Sequence, residues 1–566
     1  MSIRPFLLTR LGGPLDEKSC TLTLHEYSMY GRPTTEPLLR LVAAEKCTPH
    51  LASQPSREYY TPNLNKDHPM NRTAVVLHSC KNRFVFFVAL AFAISLAMAA
   101  PLQAQFSLVK ISTDSFHNSS SQHKTEVEPD TYSWGSTMVA AFQVARVANG
   151  GGADLGFSTS TDGGKTWTYG YLPGLTVNYR GGSNSAASDA SVVYDAKHGV
   201  WLISSLPIGN SGVDVAVSRS KDGLHWDNPI MVDSSGGDDK NWITCDNNAK
   251  SRFYGNCYSE WDSGTIFMST STDGGVTWGS AKTTADQAGG SGAEPLVQPN
   301  GQVVVPFLGF NMQAFTSTDG GASWGASFTI ANVNTFQGNS SLRSVGLPFP
   351  STGIDKSGKL YVVWSDCSFR SGCSTNDLVM STSTNGTKWT APARIPIDKL
   401  NSTVDHFIPG LAVDRATSGK TAHLTTTYYY YPQADCGDST CEIHVGFTTS
   451  TDGGRTWTAG KDLGVGPMKI SWLPASENGP MLADYLSSSY VDGKAFGVFM
   501  VAKAPSGGLF NEAAYSTKQP LEASADAPRF SSRGEKRIPN AHADRPFPRT
   551  QGEERATPPS GERLQK

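Results

Sequence analysis

Carboxylates, a lysine, a histidine and a tyrosine recur in this chain at one kind of position, the opening of a short inner strand. Glu128-Pro129, Ser188-Asp189, Lys240-Asn241, Glu294-Pro295, Pro350-Ser351 and Ile408-Pro409 each begin such a strand, and Asp405, His406, Asp484 and Tyr485 stand at similar points. Carboxylates brought to one axis repel and raise one another's pKa, which suits acid catalysis or cation binding. The bland alternative is that they hydrogen-bond neighbouring strands or hydrate a channel. Arg343 lies just ahead of one such strand, and Arg370 lies in the loop Asp366-Cys367-Ser368-Phe369-Arg370-Ser371-Gly372-Cys373. A disulfide across that loop would hold Asp366 and Arg370 rigidly, either for a ligand or as a mutual ion pair. Tyr428 to Tyr431 could offer a stacking face for sugar rings, with half of them packed in the sheet. There is no phosphate-binding glycine loop, no His-Glu-x-x-His helix and no Gly-x-Ser-x-Gly elbow, which disfavours NTPases, zinc peptidases and serine hydrolases.

What positions these residues is a repeat. Ser160-Thr161-Asp162-Gly163-Gly164-Lys165-Thr166-Trp167 is the first of six copies, whose acidic positions are Asp162, Asp222, Asp273, Asp319, Asn385 and Asp452. Their tryptophans fall 46 to 68 residues apart, a period of stacked or radially arranged sheets. Each copy reads as a hairpin turn. Asp accepts backbone N–H groups two or three residues ahead, Gly supplies positive φ, Ser closes the turn, and Trp packs while its N–H finds a partner. Two copies are a residue shorter, and Asn385 replaces Asp in one, a weaker uncharged acceptor.

This motif is the Asp-box, or bacterial neuraminidase repeat, and over residues 106–517 the chain resembles Asp-box β-propellers of the sialidase superfamily. The resemblance implies an all-β propeller of four-stranded antiparallel blades with structural boxes away from the active site. Strongly apolar strands at 137–145, 199–208, 302–310, 359–364 and 421–431 precede the boxes, and a boxless unit follows the sixth at 483–517. That unit lacks an outer strand, which 106–112 could supply by closing the ring. Seven blades are therefore expected, with six as the alternative.

The resemblance also implies chemistry. Sialidases grip a substrate carboxylate with three arginines, attack with a Tyr activated by a Glu, and use an Asp as acid/base. Carried onto this chain, Asp189 is the acid/base, Tyr485 the nucleophile and Glu294 its base. Arg343 and Arg370 bind substrate, with Glu128, Asp366 and Asp484 lining the site. The family's Arg-Ile-Pro before the first box is displaced here to Arg394-Ile395-Pro396 and Arg537-Ile538-Pro539, so neither supplies the first arginine; Arg146 is the nearby candidate. The implied function is a sialidase-like glycoside hydrolase acting on glycans. A non-catalytic glycan- or protein-binding propeller is the alternative.

Composition agrees with many short strands and tight turns: 38 % hydrophobic and 17 % charged residues, with 56 Gly and 12 Trp. A net charge of -3 argues against a nucleic-acid partner. No cofactor and no metal are expected. Arg72, Lys81 and Arg83, followed by the apolar run 84–100 and small residues, read as a secretory signal spanning 70–104. Cleavage would leave no membrane anchor. Residues 1–69 read as a non-native or disordered leader, and 519–566, rich in Pro, Arg, Glu and Ser, as a disordered tail. Beyond the signal, Cys245 with Cys257, Cys367 with Cys373 and Cys436 with Cys441 form close pairs, as expected of disulfides in an exported protein.

Overall fold

The computed structural model describes residues 106–522 and 527–538. The expected leader, signal segment and most of the tail lie outside the described residues, as do Cys20, Cys47 and Cys80. The described chain is all-β; its helices are three single 3₁₀ turns, Ser371–Cys373, Gly419–Thr421 and Ile470–Trp472. Among the described residues no helix is long and apolar enough to cross a membrane.

The strands form antiparallel meanders arranged as a propeller. A representative blade runs Asp239–Cys245, Cys257–Asp262, Ile266–Ser271, Lys282–Thr283 from inside to outside. Its neighbours cover both faces, so middle strands such as Val303–Leu308 are buried throughout and read as continuous apolar runs rather than alternating ones. Counted by hydrogen bonding, neither seven nor six separate four-stranded blades appear. Five sheets of four or five strands stand apart, and a further sheet has nine strands. The nine-stranded sheet arises because Gly152 of Gly152–Ser160 pairs with Ala187 of Ala186–Asp195. Leu108–Lys110 lies antiparallel to Glu512–Thr517, with Leu108 opposite Thr517, so the strand after the expected signal does pair with the last strand of the boxless unit.

The turn chemistry is visible atom by atom. Asp162 Oδ1 accepts the Lys165 and Thr166 N–H groups at 3.0 and 2.9 Å, while Thr166 Oγ1 donates to Oδ2 at 2.7 Å. These bonds, led by those from Thr166, hold Asp162 down to about 2. In the two shorter copies the acceptor serves residues two and three ahead, Leu224 and His225 or Thr387 and Lys388. In the longer ones it serves those three or four ahead. One expectation needs correcting. Trp167, Trp226 and Trp457 donate Nε1–H to a glycine carbonyl, but the Nε1 atoms of Trp278, Trp324 and Trp389 are buried without a hydrogen-bond partner. Packing of the indole, rather than its N–H, is the common element.

Inner strands are clasped to one another by side chains. Asp130 Oδ2 accepts Val192 N–H at 2.7 Å, Ser191 Oγ accepts Ile243 N–H at 3.3 Å, and Ser351 Oγ accepts Leu411 N–H at 2.9 Å. All three expected disulfides are present. Within the described part of 519–566, Arg529–Phe530 pairs with Trp457–Thr458, and Ile538 N–H donates to Ser368 O at 2.8 Å. Main-chain pairing, which needs no apolar side chain, compensates for the polar composition.

Candidate functional site

Glu128, Asp189, Lys240 and Ile408 share one backbone anomaly. Each has positive φ, 48–55°, and each coincides with a register shift near the opening of its strand. Such a conformation is costly for residues with a Cβ. It re-aims the side chain out of the regular pleat. Three of the four carry charge, and these converge.

Lys240 is the centre of the cluster. Its ammonium contacts Asp484 directly and lies 3.6 Å from Asp189 and 3.7 Å from Glu128. Arg343 lays its fork on Asp484, Nε to Oδ1 at 2.9 Å and Nη2 to Oδ2 at 2.6 Å. All five side chains are buried. Burial alone would raise the Asp484 carboxyl, but Arg343 and Lys240 hold it well below the usual range. Glu128 goes the other way, raised by burial and by the Asp189 charge. One link further out, Gln143 Nε2 donates to Glu128 and, at 2.9 Å, to Ser188 Oγ, while Arg146 Nη1 donates to Gln143 Oε1 at 2.7 Å.

Beside this cluster Asp189, Lys240, Trp242, Glu294, Phe349 and Tyr485 line a cavity of about 20 Å³, room for one water molecule. The Tyr485 hydroxyl and Asp189 Oδ2 have no hydrogen-bond partner. Tyr485 packs edge-on to Trp242 at 5.2 Å, and burial, then the nearby Asp189 charge, push its hydroxyl well above 10. Glu294 is raised to about 8, chiefly by burial. Its Oε2 accepts Thr352 N–H at 2.7 Å.

The structure thus brings together Glu128, Asp189, Glu294, Arg343, Asp484 and Tyr485. Arg370 and Asp366 belong elsewhere and do not pair with each other. Arg370 is buried in its own network, donating to Asp377 Oδ2 at 2.8 Å and to Asp398 Oδ1 at 2.7 Å, with Arg394 on the same two carboxylates. Asp366 accepts from Ser368 N–H at 2.7 Å, Trp364 Nε1 at 3.1 Å and Arg537 Nη2 at 3.0 Å. Of the tyrosine run, Tyr428, Tyr429 and Tyr431 are core residues, and only Tyr430 is partly open. Lys240, given no role from sequence, is the residue the reading underweights. The signal was its place at the same strand opening as Glu128 and Asp189.

No protein-family model matches the chain, and no curated relative does. Among solved structures it is similar to the NanB sialidase of Streptococcus pneumoniae (13 % identity, TM-score 0.36, 75 % of this chain and 72 % of that one). It is also similar to the intramolecular trans-sialidase of Ruminococcus gnavus (14 %, 0.36, 72 % and 99 %) and to a polysaccharide lyase, a PL25 ulvan lyase (12 %, 0.42, 77 % and 100 %). At these values the chemistry must be read from the chain's own residues.

Proposed function

We propose that the protein is an exported, glycan-acting enzyme of the glycoside hydrolase kind, working at the strand openings around Lys240. The observation that carries this is the buried Tyr485 hydroxyl, which has no hydrogen-bond partner, in one aromatic-walled cavity with Asp189, whose Oδ2 accepts no hydrogen bond and faces the Lys240 ammonium at 3.6 Å. In this reading Tyr485 is the nucleophile, and Asp189, the carboxylate whose charge bears most on it, takes its proton. Glu294, raised to about 8, carries its proton at neutral pH and serves as the general acid rather than as the base. Arg343 and Lys240 supply the positive field for an anionic group, and Glu128 and Asp484 set their positions.

The finer exo-sialidase reading asks for three converging arginines. Among the described residues Arg343 belongs to the Lys240 cluster with its fork on Asp484, Arg146 is one link behind, and Arg370 is engaged by Asp377 and Asp398. The second reading, a non-catalytic binding propeller, is favoured by that closed fork and by the small cavity.

Fluorogenic glycosides, a sialoside among them, test the proposal. Turnover by the wild type, with a loss of about a hundredfold or more in Asp189→Asn and Tyr485→Phe, is expected. Glycan binding without any turnover gives the second reading instead. The ring is proposed to have seven blades, the nine-stranded sheet being two joined at the single pair Gly152–Ala187, and an experimental density map would test that count.

A further inference from the structure

The opposite ends of the inner strands frame a second, larger space. Where Glu128, Asp189 and Lys240 stand at strand openings, Trp134 and Lys250 stand at or just beyond the ends, alongside the turns of the repeats. Gly320 of the fourth box, for example, lies against Phe253. Between these strands runs a cavity of about 730 Å³, within the range of small-ligand sites. Trp242 and Glu294 line both this cavity and the small one above it.

Its mouth is built from an aromatic pair and cations. Trp134 is 37 % exposed and stacks on Tyr194 at 5.3 Å with 30° between the rings. Arg415 reaches from beyond Asp405–Val413 to the end of Glu126–Trp134. It donates to Tyr132 Oη and, at 2.5 Å, to Ser133 O, with its guanidinium 4.3 Å from the Tyr132 ring and 5.8 Å from that of Trp134. Lys250 and Lys356 are exposed on the same lining. The acids of the lining are all buried. Asp130 and Glu294 each clasp a neighbouring strand, and Asp355 is engaged by Ser357, Lys359 and Gly419 N–H groups. An entering ligand therefore meets three cations and an aromatic plane, then hydroxyls such as Thr352, Ser487 and Ser489.

We propose that this mouth binds an acidic saccharide, one ring on Trp134 and its carboxylate or sulfate among Arg415, Lys356 and Lys250. Aromatic faces take the apolar face of a sugar ring, guanidinium and ammonium groups take its anion, and neutral sugars lack the second contact. The mouth at Trp134 and Arg415 is distinct from the proposed reaction centre beyond Trp242, and Trp242 and Glu294 form the shared wall between the two cavities.

Calorimetric titration of the full chain with a heparin-derived sulfated disaccharide, an unsulfated uronate disaccharide and cellobiose tests this. Binding of one or both acidic sugars, weakened by salt and absent for cellobiose, is expected. The acidic sugar bound then tells sulfate from carboxylate. Trp134→Ala and Lys356→Glu, both at exposed positions, should each weaken it about fivefold to tenfold, and Arg415→Ala likewise. Equal binding of cellobiose, undiminished binding by the Trp134 and Lys356 variants, or no binding of either acidic sugar at millimolar concentration would overturn the proposal.

Discussion

The Glu294 carboxylate accepts the backbone N–H of Thr352 at 2.7 Å, and so joins one inner strand to the next. Asp130 does the same to Val192. A residue proposed for chemistry is therefore also an architectural clasp, and the two roles separate experimentally.

Glu294→Ala should leave the Thr352 amide without its acceptor and lower stability by about 1–3 kcal/mol in urea unfolding. Glu294→Gln keeps an acceptor oxygen, so it should retain most of the stability while losing the acid function. A Gln variant with wild-type turnover would remove Glu294 from the mechanism.

Lys240→Met removes the cation that three buried carboxylates face. With Arg343 alone left to compensate them, a loss of about 3–5 kcal/mol is expected. Near-native stability of this variant would mean that the cluster is far wetter than its burial implies.

Burial raises Glu126 and Glu294 to about 8 in the folded chain, against ordinary values near 4.5. Between those values the native state holds more protons than the unfolded one, so stability falls as pH rises. The contribution is complete below about pH 4.5 and is lost through pH 8. Melting temperatures should drop from pH 5 to pH 9, and Glu126→Gln should flatten the slope; a rise over that range would contradict it.

Truncation after residue 522 removes the Arg537 contacts to Asp366, Ser368 Oγ and Asn332 O, and the strand pair at Trp457. A modest loss, about 1 kcal/mol, is expected, since Arg537 is partly exposed. Hydrogen exchange at residues 457–458 should rise, and unchanged exchange there would place the tail elsewhere in solution.

Peptide mapping of the purified protein without reductant should find Cys245–Cys257, Cys367–Cys373 and Cys436–Cys441 bonded. Free thiols at these positions would argue against an oxidising compartment.

Local features were legible in the sequence because their physics is local. The box turns depend on Asp, Gly and Ser within eight residues, and each disulfide closes a short loop. The apolar strands report burial on both faces, and the boxless unit left a gap that Leu108–Lys110 fills by pairing with Glu512–Thr517. The candidate site was half legible. Strand openings marked Glu128, Asp189, Glu294 and Asp484, since a repeat brings equivalent positions to one axis. What each does there depends on partners far away in the chain. Arg343 and Asp484 are 141 residues apart, and Lys240 and Asp484 are 244. The partners of Arg370, Asp377 and Asp398, were not legible, because the fold that brings them to it is not displayed in the sequence. The sequence by itself determined the turns, the strands and the disulfides. Only the tertiary structure decided which charges cancel, which stay unpaired and which carboxylate holds a strand, because desolvation and Coulomb pairing follow distance in space, not spacing along the chain.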